Sequence, residues 1–143
     1  MAQITMTQAH HSQSLSGHVL KGDLPENMVF HPDSAVSGFV LAYDNGITVY
    51  DTSDTCLFSD MALYGMLFSP DVFCVPIGDR FTMGPKSASM AVGLVKPRIA
   101  LPMHYNTWPP IEQDPAVFKA LCAERAPDTE IHILEPGATF ELA

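Results

Sequence analysis

The sequence predicts an α/β fold built on one mixed sheet with its helices on one face. Three observations carry that expectation. Asp44-Asn45-Gly46 stands between two strand-like runs, the strongest short-range hairpin signal a sequence offers. From Ser59 onward helix-like and strand-like segments alternate, so helical crossovers return the chain in the same direction and the central strands run parallel. The runs VFCVPI and IALPM are apolar at nearly every position, as strands covered on both faces are.

The elements follow in order. Ile4, Met6 and Gln8 alternate with Thr5 and Thr7 as a first strand. An irregular segment from about Ala9 to Ser34 holds His10, His11, His18 and His31. A structureless connection of that length is uncommon in a compact domain. Gly38 to Tyr43 and Ile47 to Asp51 flank the hairpin turn. Ser59 is placed to cap a helix through about Phe68, with Leu63 and Leu67 on one face and Pro70 as its stop. The strand Val72 to Ile77 follows. Gly84-Pro85 opens a second helix, proline standing where its missing N–H costs nothing, with Ala88, Ala91, Val92 and Val95 at helical spacing. After the strand Ile99 to Met103, Asp114-Pro115 starts a third helix carrying Val117, Ala120 and Leu121. Glu130 to Leu134 and Thr139 to Leu142 read as a last strand pair across Pro136-Gly137.

Right-handed crossovers place three helices on one side of such a sheet, leaving the other side bare. Its cover has to come from a second chain. A length of 143 residues sets the expectation of one domain, 1–143. Seven Lys and Arg against sixteen Asp and Glu give a net charge of -9, which argues against nucleic acid as a partner. Cys56, Cys74 and Cys122 lie at wide spacings in apolar surroundings, which suits reduced core thiols in a cytoplasmic protein better than a disulfide framework. No apolar run approaches the roughly 20 residues that span a bilayer, so no membrane partner is expected. Apolar residues make up 47% of the chain, enough for some of them to belong in an interface.

In an open α/β sheet, ligands collect beyond the carboxyl ends of the strands. His10 and His11 follow the first strand, Asp54 follows the strand ending near Asp51, Gly78-Asp79 follows VFCVPI, and His104 follows IALPM. Imidazole and carboxylate are what a zinc-like ion takes, but these residues are too far apart in sequence for spacing alone to be diagnostic. A hydrogen-bonded histidine at 104 and a loop-capping Asp54 explain the same residues without a metal. His132 reads as a solvated strand residue, and His18 and His31 as decoration of the long loop. Asp79 and Arg80 read as an exposed ion pair. Thr82 and Met83 are candidates to line a pocket, and Trp108 serves equally as a loop anchor or a substrate wall.

The segments VYDTSDTCLFSDM, FCVPIGDRFTMGP, ALPMHYNTWPPIEQDP and ILEPGATFEL closely resemble, in this order, the C-terminal half of metal-dependent hydrolases in the metallo-β-lactamase superfamily. The branch resembled carries GDT, IGDRFTMGP and PMHYNT segments. The resemblance implies half of an αββα sandwich, and it implies metal ligands at His11 (within AHHSQ, with His10 in the place of an aromatic residue), Asp54 and His104. It also implies a divalent cation, zinc or another transition metal, that lowers the pKa of a water toward neutrality.

The sequence departs from that family twice. The superfamily's main ligand cluster, H-x-H-x-D-H, has no counterpart in these 143 residues. The family's YHAGDT reads Tyr50-Asp51-Thr52-Ser53-Asp54-Thr55 here, so Asp51 replaces a histidine and Ser53 a glycine that favours a tight turn. Three donors that the family divides between two metals leave the activity of the isolated chain in question. The expectation is a metal-dependent hydrolase-like protein with an incomplete site, its partner either a second copy or a separate chain bearing the N-terminal half, its small-molecule substrate unnamed. The alternatives are a catalytically silent homodimeric binding module and a simple metal-binding protein using the same three residues.

Overall fold

The computed structural model describes residues 1–11 and 36–142. Most of the irregular segment, with His18 and His31, therefore lies outside the described residues. One six-stranded mixed sheet organises the chain in the order β1 (Ala2–Gln8), β2 (Ser37–Tyr43), β3 (Thr48–Asp51), β4 (Val72–Pro76), β5 (Ile99–Met103) and β6 (Glu130–Ile131). The first three strands are antiparallel neighbours, with Thr5 opposite Val40 and Val40 opposite Tyr50. From β3 to β6 the pairing is parallel. The hairpin forms where Asn45-Gly46 predicts it. Gly46 takes φ +88°, a left-handed conformation, and the Tyr43 N–H donates to the Ile47 carbonyl at 2.9 Å.

The crossovers are α1 (Met61–Phe68), α2 (Pro85–Val95) and α3 (Pro115–Arg125). One core joins them to one face of the sheet: Val40, Tyr50, Phe73, Val75 and Ala100 from the strands meet Met61, Ala88, Val92, Phe118 and Cys122 from the helices. Residues of opposite parity point away from the helices. On that face Ile4 and Met6 are 64% and 71% exposed, with Phe39 beside Met6 in register.

Two helices turn differently from the expectation. Leu63 and Leu67 do not pack; they are 51% and 72% exposed, and α1 buries Met61 and Gly65 instead. A Cβ on Gly65 would meet the Val95 backbone, so glycine is what lets α1 approach the end of α2. Ser59 does not cap α1 either; Asp60 holds that position, and the Ser59 hydroxyl donates to the Asp60 carboxylate at 3.1 Å. In α3 the buried stripe is Phe118 and Cys122 rather than Val117, Ala120 and Leu121. The last strand pair does not form. β6 is two residues long, pairs with β5, and Thr139 to Leu142 joins no ladder. His132 lies just past β6, half-buried, with its ring against Phe140 and its Nε2 3.1 Å from the Glu130 carboxylate, rather than solvated on a strand.

Candidate functional site

The loops that leave the carboxyl ends of β3, β4 and β5 gather at one rim of the sheet, where the chain leaving β1 also arrives. Each is held by backbone bonds to its neighbour. The His10 N–H donates to the Thr55 hydroxyl at 2.8 Å, and the Cys56 N–H donates to the His10 carbonyl at 2.7 Å. The Met83 N–H donates to the Thr55 carbonyl at 3.0 Å, and the Ile77 N–H to the Met103 carbonyl at 3.0 Å. Segments distant in sequence are thereby fixed side by side.

Into this rim the fold brings His11, Asp54 and His104. The Nε2 atoms of both histidines face the same carboxylate oxygen, Asp54 Oδ2, His104 at 3.4 Å and His11 at 3.9 Å. His10, which the sequence leaves as an equal candidate to His11, is turned away. Its ring sits edge-on to Phe58 at 4.8 Å, a contact that suits a residue in an aromatic's place.

Backbone strain is concentrated here. Six non-glycine residues have positive φ among the described residues, and four of them, Ser53, Asp79, His104 and Asn106, stand in the rim loops. The other two, Ser69 and Lys96, are ordinary left-handed caps of α1 and α2. Such conformations cost about 1–3 kcal/mol each and persist where surrounding structure imposes them. At Ser53 (φ 53°) the turn is the one glycine would favour, and it is kept because the Ser53 N–H donates to Asp51 Oδ1 at 2.8 Å. The Asp51 carboxylate thus stabilises the left-handed conformation that is costly for Ser53. At His104 (φ 54°) the backbone presses against Gly78, where any Cβ would run into the His104 carbonyl oxygen and lie 3.2 Å from its Nδ1.

The donor chemistry, two imidazoles and a carboxylate, suits a divalent transition metal. Two donors on one tetrahedral zinc lie about 3.3 Å apart, given Zn–N near 2.0 Å. The His104–Asp54 edge meets that spacing and the His11 edge is wider. Among the described residues no three His, Cys, Asp or Glu side chains are placed closely enough to hold a metal ion between them. His104 Nδ1 is buried with no hydrogen-bond partner among the described residues, whereas a ligand histidine normally donates that N–H to a carboxylate or carbonyl. The residues fit part of a metal centre.

Several neighbours take positions that sequence reasoning left open or missed. Met83 is buried in the core and does not line a pocket. Asp79 and Arg80 do not pair. The Asp79 carboxylate sits against Gly84 at the start of α2, where the helix dipole favours it, and the Arg80 guanidinium lies 5.7 Å from the centre of the Phe81 ring. Phe81 stacks on Trp108 with ring centres 5.8 Å apart and planes within 7°. Phe81 lies within the IGDRFTMGP segment, but sequence reasoning singled out only its neighbours Asp79, Arg80, Thr82 and Met83.

Residues 34–104 match the family described as a beta-lactamase superfamily domain. A UPF0173 metal-dependent hydrolase of Methanopyrus kandleri is 44% identical over 141 residues, covering 97% of this chain and 56% of that protein. Among solved structures, Igni18, a metallo hydrolase from Ignicoccus hospitalis, is 34% identical with a TM-score of 0.76 over 99% of this chain and 54% of its own. The metallo-beta-lactamase fold protein YhfI of Bacillus subtilis shares the fold at 12% identity, with a TM-score of 0.65 over 96% of this chain and 48% of its own. The chain spans about half the length of the relatives it matches.

Proposed function

Because the chain belongs to the metallo-β-lactamase superfamily, we propose that His11, Asp54 and His104 form one part of the metal centre of a hydrolase, and that polypeptide outside these 143 residues supplies the remaining donors. The observation that carries this reading is the convergence of both Nε2 atoms on Asp54 Oδ2, at 3.4 and 3.9 Å, from three separate loops. The names of the relatives support metal dependence. A divalent cation bound there supplies Lewis-acid polarisation and activation of water for hydrolysis.

The chain's own residues do the positioning. Ser53 and Asp51 aim Asp54, and Gly78 seats His104. The tether between His10 and Thr55 holds His11 opposite the carboxylate. With three donors and an unsupported Nδ1 on His104, the isolated chain binds metal weakly and does not turn over substrate alone. Hydrolysis of phosphodiester and lactone test substrates, assayed with zinc or manganese, tests this. The reading expects activity only when a polypeptide bearing the H-x-H-x-D-H segment is added, and none with Asp54→Asn. Turnover by the chain alone contradicts the incomplete site. Absence of both metal binding and activity in the mixture contradicts the hydrolase.

A second reading rests on a different observation, the exposed apolar stripe of Ile4, Met6 and Phe39 on the face away from the helices. Two copies packed through that face, with sheets about 10 Å apart, would make a twofold homodimer able to persist as a binding module without catalysis. Light scattering in dilute solution decides it, and a monomeric mass removes it.

A further inference from the structure

We propose that Arg80, Phe81 and Trp108 form a recognition platform for a planar aromatic group carrying an anionic substituent, beside the Asp54–His104 pair. The platform is assembled from two loops, Phe81 from the one after β4 and Trp108 from the one after β5, whose rings stack nearly parallel at 5.8 Å. Both loops are braced. The Asp79 N–H donates to the Met83 carbonyl at 3.0 Å, and the Thr82 N–H to the Asp79 carbonyl at 2.6 Å. Across the gap the Asn106 N–H donates to the Ile111 carbonyl at 3.0 Å, and the Gln113 N–H to Asn106 Oδ1 at 2.8 Å.

A stack that served only to pin the loops together would be free to bury both rings. Here Trp108 stays 49% exposed. Exposed aromatic surface on a braced loop accepts another ring by stacking at little entropic cost. Charge supplies the second half of the argument. The chain carries a net -9, yet Arg80 stands on this rim with no salt bridge among the described residues, its guanidinium over Phe81 instead. A cation with no carboxylate partner among the described residues, beside an aromatic face, complements a ligand that is flat and negative. Trp108 is four residues past His104, so their Cα atoms lie within about 15 Å, a span one small molecule can bridge. As a substrate wall the platform rests on the hydrolase reading; as a binding site it does not.

Trp108 is the chain's single tryptophan, so its emission reports directly on the platform. Phenyl phosphate, inorganic phosphate and phenol are titrated against the metal-free protein. Phenyl phosphate is expected to give a saturable change with affinity about tenfold above either phosphate or phenol. Arg80→Gln should remove its advantage over phenol. Phe81→Leu should weaken both ring-bearing probes, with circular dichroism showing that each variant folds. Asp54→Asn, which removes a carboxylate from the rim, should not weaken phenyl phosphate binding. The proposal is overturned if no probe saturates, or if inorganic phosphate binds as well as phenyl phosphate. It is also overturned if phenyl phosphate keeps its advantage over phenol in Arg80→Gln, if Phe81→Leu binds both ring-bearing probes as before, or if Asp54→Asn loses the binding. Retained phenyl phosphate binding, with neither metal affinity nor hydrolysis even after the H-x-H-x-D-H polypeptide is added, sinks the hydrolase reading and leaves the platform standing.

Discussion

The Ser53 N–H donates to the Asp51 carboxylate at 2.8 Å while Ser53 holds a left-handed backbone, and the next residue is Asp54. Two residues that look like lapses from a family pattern are coupled, one imposing a conformational cost and the other offsetting it. Glycine at 53 removes the Cβ penalty and adds unfolded-state freedom. Ser53→Gly is therefore expected to stabilise the chain by about 1 kcal/mol net and to keep Asp54 in place. Asp51→Ala should destabilise by about 1–3 kcal/mol, and Asp51→Asn by less, since the amide oxygen still accepts. Urea denaturation of the three variants checks the order.

Gly78 and His104 give a second test. Gly78→Ala places a methyl against the His104 carbonyl oxygen and close to its Nδ1. The clash is with backbone, so a cost of about 1–3 kcal/mol is expected, together with a displaced imidazole. A thermal melt and a metal titration on the same variant read both effects. An unchanged melting point and affinity would mean that the close approach is not what seats His104.

The three thiols should separate by accessibility. Cys56 is exposed, Cys74 half-buried and Cys122 fully buried. With a chromogenic disulfide at mildly alkaline pH, one equivalent is expected to react at once. Cys74 should follow slowly, and Cys122 only when the fold opens. A Cys56→Ser variant should lose the fast phase.

Stability should fall at alkaline pH. Burial pushes the Cys122 thiol up to about 12 and the Cys74 thiol up to about 11, and the Tyr50 hydroxyl rises to about 12 for the same reason. Their ordinary values are 9.0, 9.0 and 10.0. Between those values and the folded ones, the unfolded chain has released protons that the native chain keeps. Their contribution is thus whole below about pH 9 and is lost as pH rises toward 11 and 12. Denaturant midpoints should fall steadily above pH 9, and Cys74→Ala should make that fall shallower. A profile that stays flat to pH 11 would contradict these assignments.

What the sequence made legible follows from how much each segment's pattern constrained. In α2 the apolar residues at 88, 91, 92 and 95 occupy one stripe and all are buried, so periodicity alone identified the packing face. In α1 nearly every residue is apolar, so no polar side marked the solvent. A contact between Gly65 and the Val95 backbone chose the face, and long-range contacts leave no local trace. In α3 two stripes one residue apart compete, Val117 with Leu121 and Phe118 with Cys122, and the one carrying the aromatic ring went inside. Thr139 to Leu142 has strand-like composition but joins no ladder with a neighbouring strand. At the rim, His11, Asp54 and His104 come from loops too far apart for any spacing rule; resemblance named them, and the fold brings them together. Phe81 and Trp108 both lie in motif-bearing segments, but nothing local in the sequence pairs one with the other; the stack is a contact between two loops.

The proposed site rests on three converging donors, and no more, among the described residues. Zinc stoichiometry and affinity of the purified protein, measured by competition with a chromogenic chelator and compared with Asp54→Asn and His104→Ala, tests it most directly. The account expects at most one ion per chain, held at micromolar strength or weaker and lost in both variants. Two ions per chain that survive dialysis against a strong chelator would contradict it.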